Sequence, residues 1–262
     1  MGYPSAGRAE LIASTLMGQW FERYWSSVGL GAAIVLALLL LCTNTFRSMS
    51  GVSRWRDPVW IAWSMVVAYM LHNFEEYGID AKGRPFHFPV TACAQYGFDS
   101  VNGCPLVPSF FVAVNIPFIW IVLPIAALWC RRNPAVGLTG VGLVFTNALS
   151  HIGGAFTPMG YSPGTLTAAI IFVPLSVWVF ITFFGRGKLL RWPVLMVILV
   201  ASILAQAVLL MLLMALSRGS IPLAAAIVIQ SIDPVLLLLL PWVASRRWPP
   251  TPVAPSLAVA AA

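Results

Sequence analysis

Charge is what this sequence has least of. Asp, Glu, Lys and Arg together make up 9 % of its 262 residues, where a soluble domain carries about 25 %. A chain so poor in charge cannot solvate a surface in water, which excludes a soluble globular protein and leaves an integral membrane protein. No long polar block interrupts it, so one membrane domain without a soluble appendage is expected. Fifteen basic residues against eight acidic ones are not joined by a basic aromatic surface, and nucleic acid is excluded as a partner. The four cysteines include no CxxC pair, which argues against a cysteine zinc site. P-loop, Rossmann, GxSxG and HExxH patterns are all missing. So is an internal repeat, which weakens a transporter built from duplicated halves.

Apolar runs fill the space. A membrane-spanning helix needs roughly 20 predominantly apolar residues, and seven such runs lie near 28–46, 58–77, 108–130, 135–155, 164–184, 193–216 and 221–243. The expected fold is an all-α polytopic bundle of about seven spans. Ten of the fifteen basic residues follow the first, third, fifth and seventh runs, from Arg47, Arg54 and Arg56 to Arg246 and Arg247. The positive-inside rule then sets the amino terminus outside and the carboxyl terminus in the cytoplasm. Residues 1–27 lack the basic start, apolar core and small-residue cleavage site of a signal peptide. Leu11, Ile12, Leu16, Trp20, Phe21, Tyr24 and Trp25 point instead to an amphipathic interfacial segment. The division expected is that segment, one transmembrane domain over 28–245 and a disordered cytoplasmic tail over 246–262.

Against so little charge, the stretch LHNFEEYGID at 71–80 stands out, with a histidine and two glutamates inside a membrane run. His72 and Glu75 are three apart, and His72 and Glu76 four apart. Both spacings bring side chains onto one helical face, about 5–6 Å apart at Cβ. A complete site needs a second helix, and TNALSHIGGAF supplies it: Asn147 and His151 again share a face. Topology sets both clusters near the outer ends of their spans, and Asn115 of the third run lies at a similar depth. Ionisable groups in a membrane ordinarily face the bundle interior and find partners there.

Two imidazoles with one or two carboxylates suit zinc or iron better than magnesium or calcium. His72, Glu75, Glu76 and His151 are therefore the candidate ligands of a divalent metal. Glu75, Glu76, Asn147, Tyr161 and Asn115 are the candidate catalytic groups, with Glu75 as ligand, bridge or general base. Two neighbouring carboxylates in an apolar medium cannot both stay ionised cheaply, and a dication would remove that conflict. Three readings stay open. One is a metalloenzyme acting on an isoprenoid, quinone or other lipophile near the outer leaflet. Another is a metal-free terpene cyclase or isomerase in which a glutamate of raised pKa protonates an alkene. The third is a carrier or metal-binding protein without turnover. Glu76 and His151 also fit a purely structural pair, and Gln206, Gln230 and Asp233 fit packing hydrogen bonds. Asp233, just before Pro234, also suits a proton relay or a helix break.

The connection 78–107 is long for a compact bundle and suits a lid. On an oxidising outer face its Cys93 and Cys104 are placed to form a disulfide, whereas Cys42 and Cys130 are expected to be buried and reduced. His87, in the same loop, is a remoter ligand candidate. Ser162-Pro163 reads as a helix start, with Tyr161 just outside it and able to reach a ligand or substrate.

The HNFEE run, the NALSH pair and the YSPG segment, in that order, resemble the HXXEE family of bacterial membrane proteins over roughly residues 55–185. The resemblance marks His72, Glu75, Glu76, Asn147, His151 and the segment Tyr161–Gly164. It implies a multi-pass protein of the bacterial inner (plasma) membrane, surrounded by membrane lipids, and it implies no particular reaction.

Overall fold

The computed structural model describes the backbone of residues 6–49 and 51–251 and the side chains of 17–49 and 51–251. In chain order these form α1 (Ala6–Cys42), α2 (Pro58–Tyr77) and α3 (Phe88–Gln95). There follow α4 (Pro108–Trp129), α5 (Pro134–Ala155), α6 (Thr165–Phe183), α7 (Trp192–Ser217) and α8 (Leu223–Arg247). Among the described residues there is no strand; two isolated bridges, Ile79 with Pro85 and Phe184 with Leu190, close loops. The fold is the expected all-helical one.

Among the described residues, six helices are long and apolar enough to cross a membrane: α4 to α8 and the Met17–Cys42 part of α1. The seventh predicted span, α2, forms as a helix of 20 residues, but His72, Asn73, Glu75 and Glu76 reduce its hydropathy below that of the others. It occupies the middle of the bundle, in contact with α1, α4, α5 and α6. Sixteen of its residues are buried, so its neighbours shield from lipid the polar groups that a lipid-facing helix would not tolerate.

Its start is firmly specified. Asp57 caps α2 by accepting from the Val59 and Trp60 N–H groups at 2.9 and 3.3 Å, with Pro58 pre-set for the first turn. The same carboxylate accepts from Ser48 N–H and Oγ and from Met49 N–H, which pins the loop after α1.

Proline explains the irregular stretches of the spans. α4 widens to a π-helix over Ile116–Val122, around Pro117, and α6 does so over Ala168–Phe172, just before Pro174. α8 tightens to a 3-10 turn over Asp233–Val235, around Pro234. A proline inside a helix removes one ladder hydrogen bond and forces such an adjustment, and the helix break suggested at Asp233 is present. α5 and α7 approach closely at Gly142, where an added Cβ would collide with Ser202 and Ile198.

Two ends of the bundle differ in character. At one, the loops carrying the ten basic residues are stitched together: Arg131 donates to the Arg47 carbonyl, Trp178 to that of Trp55, and Thr251 N–H to that of Leu189. The other end carries the connection between α2 and α4, in which a Cys93–Cys104 disulfide ties α3 to the 3-10 turn Val101–Gly103. That disulfide matches the expectation from sequence. Cys130 is buried, but Cys42 is exposed, because the last turn of α1 presents it outward.

From Ala6 one helix runs without a break to Cys42, so among the described residues the amino-terminal segment and the first span share a single helix. Trp25 is buried against Tyr77, ring to ring at 5.0 Å, and Arg23 lies over Phe86, so this part of α1 packs beside the lid. The side chains of Leu11, Ile12 and Leu16, and the tail beyond residue 251, lie outside the described residues.

Candidate metal centre

His72 and Glu76 lie one turn apart on the face of α2 that meets α5 and α6. A buried histidine on such a face is ordinarily paired; this one has a ring nitrogen left over. Its Nε2 is 3.7 Å from Glu76 Oε1, and His151 Nε2 of α5 reaches the same oxygen at 3.2 Å. One ligand atom from each of the three lies within 4.8 Å of the others, and all three residues are buried. Ligand atoms about 2.0–2.1 Å from a tetrahedral ion stand roughly 3.3 Å apart, so both measured edges fit a coordination sphere. His72 Nε2 and His151 Nδ1 have no hydrogen-bond partner. A buried polar atom left alone is costly, and a metal would satisfy His72 Nε2 where it stands.

The other nitrogen of His72 explains why Nε2 is the free one. Thr167 Oγ1 is 2.8 Å from His72 Nδ1 and donates its own proton to Glu75 Oε2 at 2.6 Å. With the threonine proton so directed, Nδ1–H is the donor and Nε2 carries the lone pair. Metal-binding histidines regularly show such an outer partner, which fixes both tautomer and ring orientation.

Glu75 is therefore a neighbour of the trio and not part of it. Adjacent helical residues point about 100° apart, and while Glu76 faces His151, Glu75 faces the first turn of α6. Its carboxylate accepts from Tyr161 Oη at 2.8 Å, Leu166 N–H at 3.1 Å and Thr167 N–H at 2.7 Å, besides the Thr167 hydroxyl. Hydrogen bonds to a charged group are worth about 1.5–3 kcal/mol each. Four of them offset the several kcal/mol that burying a carboxylate costs. The helix N-terminus adds favourable dipole alignment. A carboxylate so fully engaged has no free lone pair for a metal or for a substrate proton.

Gly164 completes the arrangement. It holds a left-handed conformation at φ 94°, and a Cβ there would lie 2.6 Å from His151 Cε1 and 2.7 Å from His72 Cε1. Both imidazoles pack directly on its backbone, so this position needs glycine for conformation and for space. Phe172 at 4.5 Å and Tyr69 at 5.6 Å between ring centres enclose His72 from other sides.

Beside the trio lies a cavity of about 340 Å³, walled by α2, α3, α4, α5 and α7. Glu76 and His151 open onto it; His72 stands behind them. Asn147 lines it one turn before His151, and its Oδ1 is buried without a partner. Asn115 also lines it, donating to Phe111 O at 2.9 Å and Tyr77 Oη at 3.3 Å. The remaining walls are mostly apolar or aromatic, with Phe88 of the lid and Phe111, Phe118, Leu143 and Leu209 of the spans.

Tyr161 is not in that wall. Its hydroxyl accepts from Ala81 N–H at 3.0 Å and donates to Glu75, with Lys82 over the ring, so it links the lid to the support of His72. Burial, then its hydrogen bond to Glu75, push the Tyr161 phenol up, which keeps it a donor. His87 precedes α3 and is not one of the grouped ligands. Gln230 and Asp233 are buried in α8 away from the cavity wall, whereas Gln206 of α7 is in it. Gln206 and Thr167 are the residues that sequence reasoning undervalued. Thr167 carried no local signal, since its partner Glu75 is 92 residues away. Gln206 did carry one, a lone polar residue in a long apolar run.

Residues 63–179 match the model of a family described as "Protein of unknown function with HXXEE motif". This is the family that the HNFEE, NALSH and YSPG segments resemble, and the match contains His72, Glu75, Glu76, Asn147, His151, Gly164 and Thr167. No curated protein and no solved structure matches this chain.

Proposed function

We propose that this protein is a membrane-embedded metalloenzyme acting on a lipophilic small molecule, with His72, Glu76 and His151 holding a zinc or iron ion. The observation that carries the reading is the orphaned Nε2 of buried His72, aimed at Glu76 and its histidine partner while Nδ1 is committed to Thr167. Three protein ligands leave open positions, as catalytic centres require. When bound, the ion would supply Lewis acidity toward a substrate oxygen.

The chain's own residues do the rest. Thr167 and Glu75 hold His72 in one tautomer and one orientation. Gly164 lets both imidazoles close in. The aromatic and aliphatic walls exclude water, which strengthens every polar interaction inside. Asn147 offers a hydrogen bond to a molecule in the cavity. Glu75 is a positioning residue, and Glu76 the carboxylate that meets ion and substrate. We place the protein in the bacterial inner membrane with its amino terminus outside, so that the site opens toward the outer leaflet.

A second reading draws on one specific observation. Glu76 faces a chamber walled by Tyr69, Tyr77, Phe88, Phe111 and Phe118, and aromatic faces stabilise cations. A metal-free cyclase or isomerase would use that wall, with Glu76 as acid and His151 as its partner. Metal content decides between the two. Elemental analysis of the purified protein should find about one equivalent of zinc or iron, lost in His72→Ala and His151→Ala while membrane insertion persists. Chelation should abolish turnover and the ion restore it. Full turnover by a metal-free preparation would sink the metalloenzyme reading and favour the cyclase.

A further inference from the structure

Between α2 and the lid helix α3, residues 78–86 fold into a small hairpin that is rigid in itself. Ile79 and Pro85 bridge its two arms, and Phe86 N–H donates to the Gly78 carbonyl at 2.8 Å. Inside it, the Asp80 carboxylate accepts from the Lys82 and Arg84 N–H groups at 2.9 Å each and from Arg84 Nε at 2.8 Å. It also pairs with the Arg84 guanidinium at 2.7 Å. Such a unit moves as one piece. Two residues later Phe88 starts α3, and Phe88, Gln95 and Tyr96 wall the chamber beside the trio. A shift of the hairpin is therefore passed on to that wall.

Among the described residues, one hydrogen bond joins this hairpin to the chain beyond α2. Ala81 N–H donates to Tyr161 Oη at 3.0 Å, while Lys82 and Arg84 lie over the Tyr161 ring. From there the contacts run inward without a gap. Tyr161 Oη donates to Glu75 Oε1 at 2.8 Å, and the Thr167 hydroxyl donates to Glu75 Oε2 at 2.6 Å. His72 Nδ1–H donates to that hydroxyl at 2.8 Å. The two oxygens of Glu75 belong to one planar group, so fixing Oε1 from the lid side fixes Oε2 for Thr167. With the hairpin undocked, Tyr161 loses the donor that orients its hydroxyl, and the carboxylate regains freedom to turn. Groups already ordered by one partner cost less to order for the next. The Leu166 and Thr167 N–H groups hold Glu75 in either case, so the effect is partial.

We propose that the hairpin is a latch for His72: its docking on Tyr161 and the fixing of the His72 ring stabilise one another through the Glu75 carboxylate. Tyr161 is the positioning residue between them. The site is then tightest when the lid is shut and water is excluded, and it loosens as the lid opens. For its first readout the inference rests on reading the trio as a metal site, where zinc and lid closure must favour one another by the same factor. One neutral hydrogen bond shifts an equilibrium about fivefold, and that is the expected size.

The test uses the full-length protein in phosphatidylcholine nanodiscs, with a thermal melt of each variant as the check on folding. Trypsin can cut the hairpin after Lys82, since Arg84 precedes proline, and the rate of that cut reads how often the hairpin is undocked. Zinc should slow it about fivefold. Asp80→Ala, which unties the hairpin without touching the trio, should weaken zinc binding by about the same factor. Tyr161→Phe keeps the ring under Lys82 but has no hydroxyl to join Ala81 to Glu75. In that background zinc should leave the cut unchanged, and Asp80→Ala should leave zinc affinity unchanged, a cancellation that a merely structural tyrosine would not produce. Equal protection by zinc in Tyr161→Phe would overturn the proposal. So would a zinc-loaded wild-type hairpin cut as fast as the metal-free one. If no preparation holds zinc, the metal reading fails by itself, and ¹⁵N spectra of the metal-free protein decide the latch. The His72 Nδ1 signal should then move with Asp80→Ala in the wild type and stand still in Tyr161→Phe. A signal that ignores Asp80→Ala in the wild type, or follows it in both backgrounds, refutes the latch whatever the metal content.

Discussion

Thr167→Val removes one oxygen while keeping the side chain's shape, and it breaks the contact between His72 and its support. Glu75 loses one of four donors and keeps the Thr167 N–H, the Leu166 N–H and Tyr161, so the first turn of α6 stays capped. His72 fares worse, because its Nδ1 loses the Thr167 hydroxyl, at 2.8 Å, in a fully buried position. An orphaned buried donor costs about 1–3 kcal/mol. The ring can recover part of that by turning or by shifting its proton to Nε2, and either change spoils Nε2 as a ligand. Losing an outer partner of a metal histidine weakens metal binding about 10–100-fold, which corresponds to about 1.4–2.8 kcal/mol.

The assay is zinc titration against a competing chelator, with the melting temperature of the metal-free protein as a check on folding. Thr167→Ser, which keeps the hydroxyl, should bind near wild-type strength. Histidine ¹⁵N spectra of the metal-free protein should show His72 with its proton on Nδ1, and a mixture in Thr167→Val. Wild-type zinc affinity in a well-folded Thr167→Val protein would refute the support role of the threonine.

Other outcomes follow from the same geometry. Gly164→Ala should cost about 1–2 kcal/mol for the left-handed backbone alone, and its Cβ, within 3 Å of both imidazoles, should eliminate stoichiometric zinc; elemental analysis and a thermal melt read the two effects. A cysteine-accessibility scan should label positions 82, 84 and 161 from outside and 131 and 188 from inside, and the reverse pattern would put the site on the cytoplasmic face. Burial works to raise the Asp80 carboxyl, but hydrogen bonds from Arg84 and Lys82 and the Arg84 charge outweigh it and hold it below the usual range. A carboxylate depressed in the folded state stabilises above its unfolded pKa of about 3.9 and loses that contribution as pH falls through the folded value. The 78–84 loop should therefore resist proteolysis from neutral pH to about 4 and loosen only below it, and loosening near pH 6 would mean that another group governs it.

Helices, and most of the ligand set, were legible in the sequence because they are local properties. Apolar runs of span length can do little but form helices in a membrane, since backbone groups have no other partner there. His72 and Glu76 share a face by spacing alone, and so do Asn147 and His151. What spacing cannot decide is which neighbour a face meets. Glu75 and Glu76 are equivalent as letters, yet one meets His151 and the other the first turn of α6, and only packing assigns them. Thr167 and Gly164 matter through contacts with residues far away in the chain, so no local pattern marks their roles. The burial of α2 is likewise collective: its polar residues survive in the membrane because four other helices and a lid supply partners and exclude lipid. Sequence determined the helices, the lid cysteines and the four side chains from which a metal site could be drawn. Tertiary structure decided which carboxylate meets His151 and which supports His72, because only the crossing of α2, α5 and α6 fixes where each side chain points.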